Sequence, residues 1–337
     1  MPYSEASTIK RGSVVLVTGG AGFIGSHIVL DLCAAGVPAV VLDNLITGSR
    51  AIVPPGVPLV EGDIGNPAVV RDVIVTYGVT TVVHCAASLI VSESVYDPLS
   101  YYRNNTFNSL SLIESCVKAG VKQFVYSSSA SVYGVPERTP VEECAVPRPI
   151  SPYGYSKLMT EQILHDAAAA HDLRFVALRY FNVAGADPQG RSGQVMKQGT
   201  HLIKVACEAA IGRRPHIDLF GEDYPTPDGT CMRDYIHVSD LATVHVRSLA
   251  HLSHGGRNLV LNCGYGRGFT VREVLNTVEQ VIGRKLPILP QPRRPKDPPI
   301  LVAGTNQIKR VFGWRPHYDH LETIVRTALA WEQKTHA

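Results

Sequence analysis

An apolar run at 14–17 leads directly into Thr18-Gly19-Gly20-Ala21-Gly22-Phe23-Ile24-Gly25, after which Ile24, Ile28 and Leu32 recur at helical spacing. Strand, glycine turn, helix: few folds use that order. Glycine allows the tight turn, lets backbone approach a phosphate group, and lets helix pack on strand. The helix start then presents unpaired N–H groups and the positive end of a dipole. Gly36 and Pro38 supply the helix stop. A second apolar run at 39–42 delivers Asp43, eighteen residues beyond Gly25, where an acid meets the ribose hydroxyls of a dinucleotide. The competing reading is an ordinary βαβ turn with no ligand.

The rest of the chain to about residue 182 keeps the same rhythm. Strands are expected at 14–17, 39–42, 59–60, 81–84, 124–127 and 175–179, and helices near 24–35, 67–77, 98–119 and 156–170. This alternation predicts an α/β fold with a doubly wound parallel sheet of Rossmann type. Ligands of such sheets sit beyond the C-terminal strand ends. The polar clusters at 19–25, 43–44, 63–64, 85–89, 127–129 and 180–182 all fall there.

After Asn182 the rhythm breaks. Residues 184–198 read as loop, 201–211 as helix and 217–220 as strand. The segment 287–299 carries six prolines and allows no regular structure beyond a short edge strand. A last helix is expected at 321–331. The expected domains are 1–182, with elements of about 235–262 returning to it, and a smaller mixed α/β domain at 183–337.

Net charge is +3, and no basic cluster is interleaved with aromatics, so a nucleic-acid surface is not expected. The densest basic patch is Arg293-Arg294-Pro295-Lys296. No apolar stretch reaches membrane-spanning length, and the polar N-terminus lacks a signal-peptide core. Seven scattered cysteines point to free thiols in a reducing cytoplasm and against a disulfide framework or a metal site.

Tyr153 and Lys157 stand four residues apart at the start of an expected helix, which puts phenol and ammonium on one face. A tyrosine near its reference pKa of ~10 is a poor base at neutral pH, and lowering it by ~3 units takes about 4 kcal/mol. Lys157 and a cationic nicotinamide are expected to supply that shift. Ser129, at the end of the fifth strand, is placed to hydrogen-bond the same substrate oxygen.

With these groups assembled, the chain resembles the extended short-chain dehydrogenase/reductase family, and within it the UDP-glucose 4-epimerases. The similarity runs from about residue 14 to about 331. It rests on TGGAGFIGSH at 18–27, LDN at 42–44, GDI at 62–64, SSSASVYG at 127–134 and SPYGYSK at 151–157. More specific are LRYFNVAGADPQGR at 178–191, FGEDYPTPDGT at 220–230, RDYIHVSDLA at 233–242 and RRPKD at 293–297.

The resemblance implies interconversion of UDP-glucose and UDP-galactose. A tightly held NAD oxidises C4, the 4-keto sugar rotates, and the hydride returns to its other face. It implies that Ser129, Tyr153 and Lys157 are catalytic. It implies cofactor contacts from Gly19, Gly22, Phe23, Ile24, Gly25, Asp43, Asn44, Thr47 and Gly48. Further cofactor contacts are implied at Asp63, Ile64, Cys85, Ala86, Ala87, Leu89, Asn104, Ser127, Tyr180 and Phe181, as well as Tyr153 and Lys157. UDP-sugar contacts are implied at Asn182, His201, Leu202, Asp218, Leu219, Phe220, Arg233, Tyr235, Arg294, Asp297 and Leu301, together with Ser129 and Tyr153. It also implies a homodimer formed through helices of the first domain, with no nucleic-acid or membrane partner.

Three positions depart from the pattern. Leu89 stands where some members carry lysine, His201 replaces an asparagine, and Leu301 replaces a tyrosine at the hexose wall. The smaller Leu301 predicts a roomier pocket and admission of 2-acetamido sugars. UDP-pentose and UDP-uronate epimerases share the same chemistry and remain alternatives. A 4,6-dehydratase needs an acid after the catalytic hydroxyl, whereas Ala130, Ser131 and Val132 follow Ser129 here. A simple alcohol dehydrogenase would release reduced cofactor, and a non-catalytic NAD-binding protein would not need Ser129, Tyr153 and Lys157 together. Asp43 favours NAD over NADP, since no basic residue follows before Arg50.

Overall fold

The structure, a computed structural model, describes residues 9, 12–196, 199–294 and 297–336. Most of the N-terminal stretch, together with Pro295 and Lys296 of the basic patch, lies outside them. In chain order the strands are β1 (Val15–Thr18), β2 (Ala39–Asp43), β3 (Leu59–Glu61), β4 (Thr81–His84), β5 (Gln123–Ser129), β6 (Arg174–Tyr180) and β7 (Asn182–Ala184). They continue as β8 (Ile217–Phe220), β9 (Met232–His237), β10 (Leu259–Cys263), β11 (Gly268–Thr270), β12 (Ile288–Gln291) and β13 (Ile300–Leu301). The helices are α1 (Phe23–Ala34), α2 (Pro67–Tyr77), α3 (Val91–Tyr96), α4 (Pro98–Tyr101), α5 (Asn108–Lys118) and α6 (Pro152–Ala170). After them come α7 (Leu202–Ala210), α8 (Val238–Ser253), α9 (Val271–Ile282), α10 (Asn306–Phe312) and α11 (Leu321–His336).

Internal packing divides the chain into two compact units. The first comprises 1–132, 149–179 and 242–261; the second comprises 133–148, 180–241 and 262–337. The expected boundary at 182 lies close to the break at 179, and 242–261 returns to the first unit. The passage of 133–148 into the second unit was not expected. Long-range ties explain it: Val141 bridges Ala303, Tyr133 donates to Asn262 Oδ1 at 2.7 Å, and the Asn262 N–H donates to Glu143 at 3.0 Å.

In the first unit seven strands form a sheet in the order β10-β6-β5-β4-β1-β2-β3. The order reverses at β1, which is the switch point where doubly wound sheets bind ligands. Thr18 pairs with both Leu42 and His84, so Gly19, Asp43 and Cys85 leave neighbouring strands at one level. Nearly continuous apolar strands fit a sheet covered on both faces. Leu16, Val40, Leu42, Val82, Phe124 and Phe175 pack with Val70, Val73, Leu112 and Ile113 from α2 and α5.

The helix expected at 98–119 is interrupted. α4 gives way to a π-helical stretch, Tyr102–Phe107, before α5 begins. Asn105 explains the local widening. Its side chain accepts from the Ser88 N–H at 2.8 Å and donates to the Ser88 carbonyl at 2.9 Å and to Ser156 Oγ at 3.2 Å. Such π turns frequently mark functional sites.

The second unit carries a four-stranded sheet, in which β9 pairs with β7, β11 and β13, and the separate pair β8–β12. β12 is the short strand expected within the proline-rich segment. Ile203, Ala206, Val274, Val278, Ile324 and Val325 from α7, α9 and α11 form its core.

Candidate active site

The glycine turn leaves no room for side chains. A Cβ on Gly19 (φ 71°) would lie 2.6 Å from the Ala86 nitrogen, and one on Gly25 would lie 2.2 Å from the Gly19 carbonyl oxygen. No side chain caps α1, and no acid occupies its first turn, so its start is free to face an anion. Phe23, Ile24 and Gly25 form that first turn, with Gly22 at the cap. Asp43 closes the turn: Oδ2 accepts the Ala21 N–H and Oδ1 the Leu45 N–H, each at 2.9 Å. Gly48 backs onto Ala21, and the adjacent Ser49 N–H donates to the Ala21 carbonyl at 2.8 Å.

Around this turn the other expected cofactor residues line the strand ends. Asp63 follows β3, where its Oδ2 accepts from Asn44 at 3.3 Å and its Oδ1 from Asn108 at 3.2 Å. Cys85, Ala86, Ala87 and Leu89 follow β4, and Asn104 in the π stretch donates to Ser88 Oγ at 2.9 Å. Ile64 is buried in the core, leaving its backbone for a ligand. Thr47 lies in the turn after β2.

Ser151 caps α6 by accepting the Gly154 N–H at 3.2 Å, with Pro152 in the first turn. The helix therefore starts where Tyr153 and Lys157 share one face, with Lys157 Nζ 5.9 Å from the centre of the Tyr153 ring. Lys157 Nζ donates to the Ser127 carbonyl at 3.0 Å and lies 5.2 Å from the centre of the Tyr126 ring. Burial draws the Lys157 ammonium down to about 8, opposed by its attraction to the Glu161 carboxylate. Ser129 ends β5, and its side chain draws the Tyr153 pKa down.

The expected lowering of the Tyr153 pKa rests on Lys157 together with a cationic nicotinamide; in the chain by itself the balance is the other way. Burial is the largest cause and raises it, and only the Ser129 hydrogen bond pulls it down. Lys157 gives one of its three N–H donors to the Ser127 carbonyl and keeps its charge near the Tyr153 ring.

In the second unit, taken by itself, the expected UDP-sugar residues gather on β8, β9, β13 and the chain before β13. Arg233 Nη2 pairs with Asp297 Oδ1. Leu301 pairs with Arg233 across the sheet, and Tyr235 with Asn182. The Arg294 guanidinium lies 3.9 Å from the centre of the Phe220 ring. Asp218 is exposed and accepts from Gln291 at 3.0 Å, whereas the Leu219 side chain is buried. His201 precedes Leu202 at the start of α7 and bonds Gln194 at 2.7 Å. Tyr180 ends β6, and the Phe181 N–H donates to the Cys263 carbonyl at 3.1 Å.

Residues 15–264 match the family model described as NAD dependent epimerase/dehydratase family. The chain belongs to that family. As a member, it is 58% identical over 319 residues to the UDP-glucose 4-epimerase of Azospirillum brasilense, covering 95% of this chain and 92% of that one. The fold matches UDP-glucose 4-epimerase from Brucella ovis in complex with NAD: TM-score 0.92, 45% identity, 95% of this chain and 98% of the other. It also matches the Bifidobacterium longum enzyme in complex with NAD+ and UDP: TM-score 0.90, 36% identity, 96% and 98% covered. This member of the epimerase/dehydratase family therefore has its cofactor class set, and the turn fits it: close backbone approach, an uncapped helix start and a carboxylate at the second strand end. Among the described residues, no helix is long and apolar enough to cross a membrane.

The shell behind the expected residues escaped the sequence reading. Glu161 accepts from Ser128 Oγ at 2.5 Å and from Arg179 Nη2 at 2.6 Å, all buried. His84 bonds Thr18 at 2.8 Å and Ser109 at 2.8 Å and stays neutral, burial and Lys157 taking it down to about 3. His245 reaches Ser127 Oγ at 2.9 Å. One signal was available for Glu161. It sits four residues after Lys157, an acid on the same helical face as the expected catalytic pair.

Proposed function

We infer that the protein interconverts UDP-glucose and UDP-galactose by NAD-dependent epimerisation at C4. The observation carrying the reading is the placement of the triad, with Ser129 at the end of β5 and Tyr153 and Lys157 on one face at the start of α6. Bound NAD supplies a reversible hydride acceptor at C4. Tyr153 takes the 4-hydroxyl proton and gives it back, since a buried phenol makes a strong base once ionised. Ser129 hydrogen-bonds the same oxygen, and the Lys157 ammonium favours the phenolate. Their arrangement lets one group serve both directions of proton transfer, as an epimerase that restores its cofactor requires. The absence of an acid after Ser129 weighs against dehydration.

We assign the dinucleotide to the first unit, along Gly19, Gly22, Phe23, Ile24, Gly25, Asp43, Asn44, Asp63, Ile64, Ala86, Ala87 and Asn104. In the second unit Arg233 and Arg294 are suited to a diphosphate, because guanidinium forks match its oxygens. Phe220 offers a flat face for uracil and Asp297 an acceptor for hydroxyls. Supporting contacts are assigned to Asn182, His201, Leu202, Asp218, Leu219 and Tyr235.

A second substrate class is favoured by Leu301. Its branched chain at the β13 position replaces a longer ring, which suits a 2-acetamido group. The assembly proposed is a homodimer through the first unit, where Val95, Tyr96, Leu99, Phe107 and Tyr155 stand exposed. Free cysteines at all seven positions support a cytoplasmic setting.

The test is a product assay on UDP-galactose, UDP-N-acetylgalactosamine, a UDP-pentose and a UDP-uronate with no NAD added, beside mass analysis of copurified nucleotide. Turnover of UDP-galactose without NADH release is expected, and Tyr153→Phe should lower it by about 10²–10⁴-fold with NAD still bound. Full activity in Tyr153→Phe would remove Tyr153 from the mechanism. Undetectable acetamido-sugar turnover would remove the second class.

A further inference from the structure

We propose that His245 is a positioning residue for Lys157, acting through Ser127; the proposal rests on the reading of Lys157 as catalytic. A lysine ammonium is a compact charge on a flexible four-carbon stem, so its placement depends on a fixed acceptor. The acceptor here is the Ser127 carbonyl, at 3.0 Å. On the β4 side the ladder ends one residue earlier, with His84 opposite Tyr126. Ser127 is tied instead through its side chain. Its Oγ lies 2.9 Å from His245 Nε2 on α8, 118 residues further along the chain, and 3.2 Å from Cys85 Sγ at the end of β4.

Burial pushes the Cys85 thiol up to about 11, so at neutral pH it is an S–H donor. Ser127 Oγ is thus hydrogen-bonded on two sides, to Cys85 Sγ and to His245 Nε2, and Ser127 and His245 are both fully buried. A buried hydroxyl held from two sides fixes the rotamer of Ser127 and steadies the carbonyl that Lys157 meets. In this chain of bonds His245 reaches Lys157 through Ser127. Its effect is therefore on alignment.

Four single variants, His245→Phe, His245→Gln, Ser127→Ala and Lys157→Met, and the double His245→Phe with Ser127→Ala test this, each assayed on UDP-galactose with its copurified nucleotide quantified. A glutamine amide reaches the place of Nε2 and restores the bond; phenylalanine fills the space without it. The expected result for His245→Phe is a fall in kcat of about tenfold or more with KM within about twofold, the signature of lost alignment. His245→Gln should recover to within about threefold of wild type. Ser127→Ala keeps the carbonyl and deletes the hydroxyl, so it should match His245→Phe, and the double variant should add nothing further. Wild-type kcat in either His245→Phe or Ser127→Ala overturns the proposal. So does a slow His245→Gln that retains its nucleotide. If His245→Phe does not fold, Ser127→Ala decides alone. Wild-type kcat in Lys157→Met overturns the reading of Lys157 itself, a separate outcome.

Discussion

Glu161 holds Arg179 at two points, Oε1 to Nε at 3.0 Å and Oε2 to Nη2 at 2.6 Å, with side chains only 4% and 7% exposed. The same carboxylate takes the Ser128 hydroxyl, so one acid bolts α6 to β5 and β6. The residue before Ser128 is the one whose carbonyl meets Lys157, and the residue after it is Ser129.

Removing the acid should be costly. Glu161→Ala takes away the carboxylate against which a buried guanidinium is held, a loss of about 3–5 kcal/mol. Urea unfolding measures it. Glu161→Met combined with Arg179→Met should recover much of the stability, because a buried pair replaced by apolar groups is often neutral. A loss under about 1 kcal/mol in Glu161→Ala would show that the pair is not a support.

Lys157 makes a pH prediction whose sign is set by burial. Its folded pKa of about 8 lies below the ordinary 10.5. Below pH 8 the ammonium is charged in both folded and unfolded chains, and the burial cost applies in full. Between 8 and 10.5 the unfolded chain binds the extra proton, so this group makes stability rise with pH there. Epimerisation should fall over the same range as the cation is lost. Unfolding midpoints and kcat from pH 7 to 10, compared with Lys157→Met, check both limbs. Equal pH slopes of stability in the two proteins would refute the shift.

Gly25→Ala should lose copurified NAD by at least tenfold. A methyl there meets the Gly19 carbonyl oxygen at 2.2 Å and the Gly20 Cα at 2.7 Å, both backbone. Overpacking of this kind costs about 1–3 kcal/mol and displaces the turn. Mass analysis of the purified variant reads the cofactor, and retention of a full complement would contradict the close-approach account.

The exposed apolar residues of the first unit bear on assembly. Tyr96 is 89% and Leu99 77% exposed, within short helices that also present Val95. Leu99→Glu with Tyr96→Ser should convert a dimer to a monomer in sedimentation or light scattering, with the melting temperature of the isolated chain little changed. A wild-type protein that is monomeric at micromolar concentration would dispose of the interface.

Much of the first unit was legible because its signals are local. Apolar runs of four or five residues bounded by glycine and polar clusters mark β1, β2 and β4, and Tyr153 and Lys157 declare themselves by helical spacing. What was hidden depends on residues far apart in sequence. The π stretch looks like continuous helix until Asn105 is seen to reach Ser88 and Ser156. The strip 133–148 reads as an extension of the first unit until Val141 is found beside Ala303. Likewise, spacing put Lys157 near Tyr153 but said nothing of the Ser127 carbonyl that receives one of its hydrogen bonds.

Asp43 has a consequence for how this protein could change. Its two carboxylate oxygens already secure the Ala21 and Leu45 amides, and Leu45 is held at φ 57°, a conformation that side chains other than glycine seldom adopt. Exchanging the acid to welcome a cofactor bearing an extra phosphate would also release both amides and a strained residue. On the proposed assignment of Asp43 to the ribose, recognition and scaffold share one side chain at this position. Any lineage that altered its cofactor preference here would first need a second way of closing the turn.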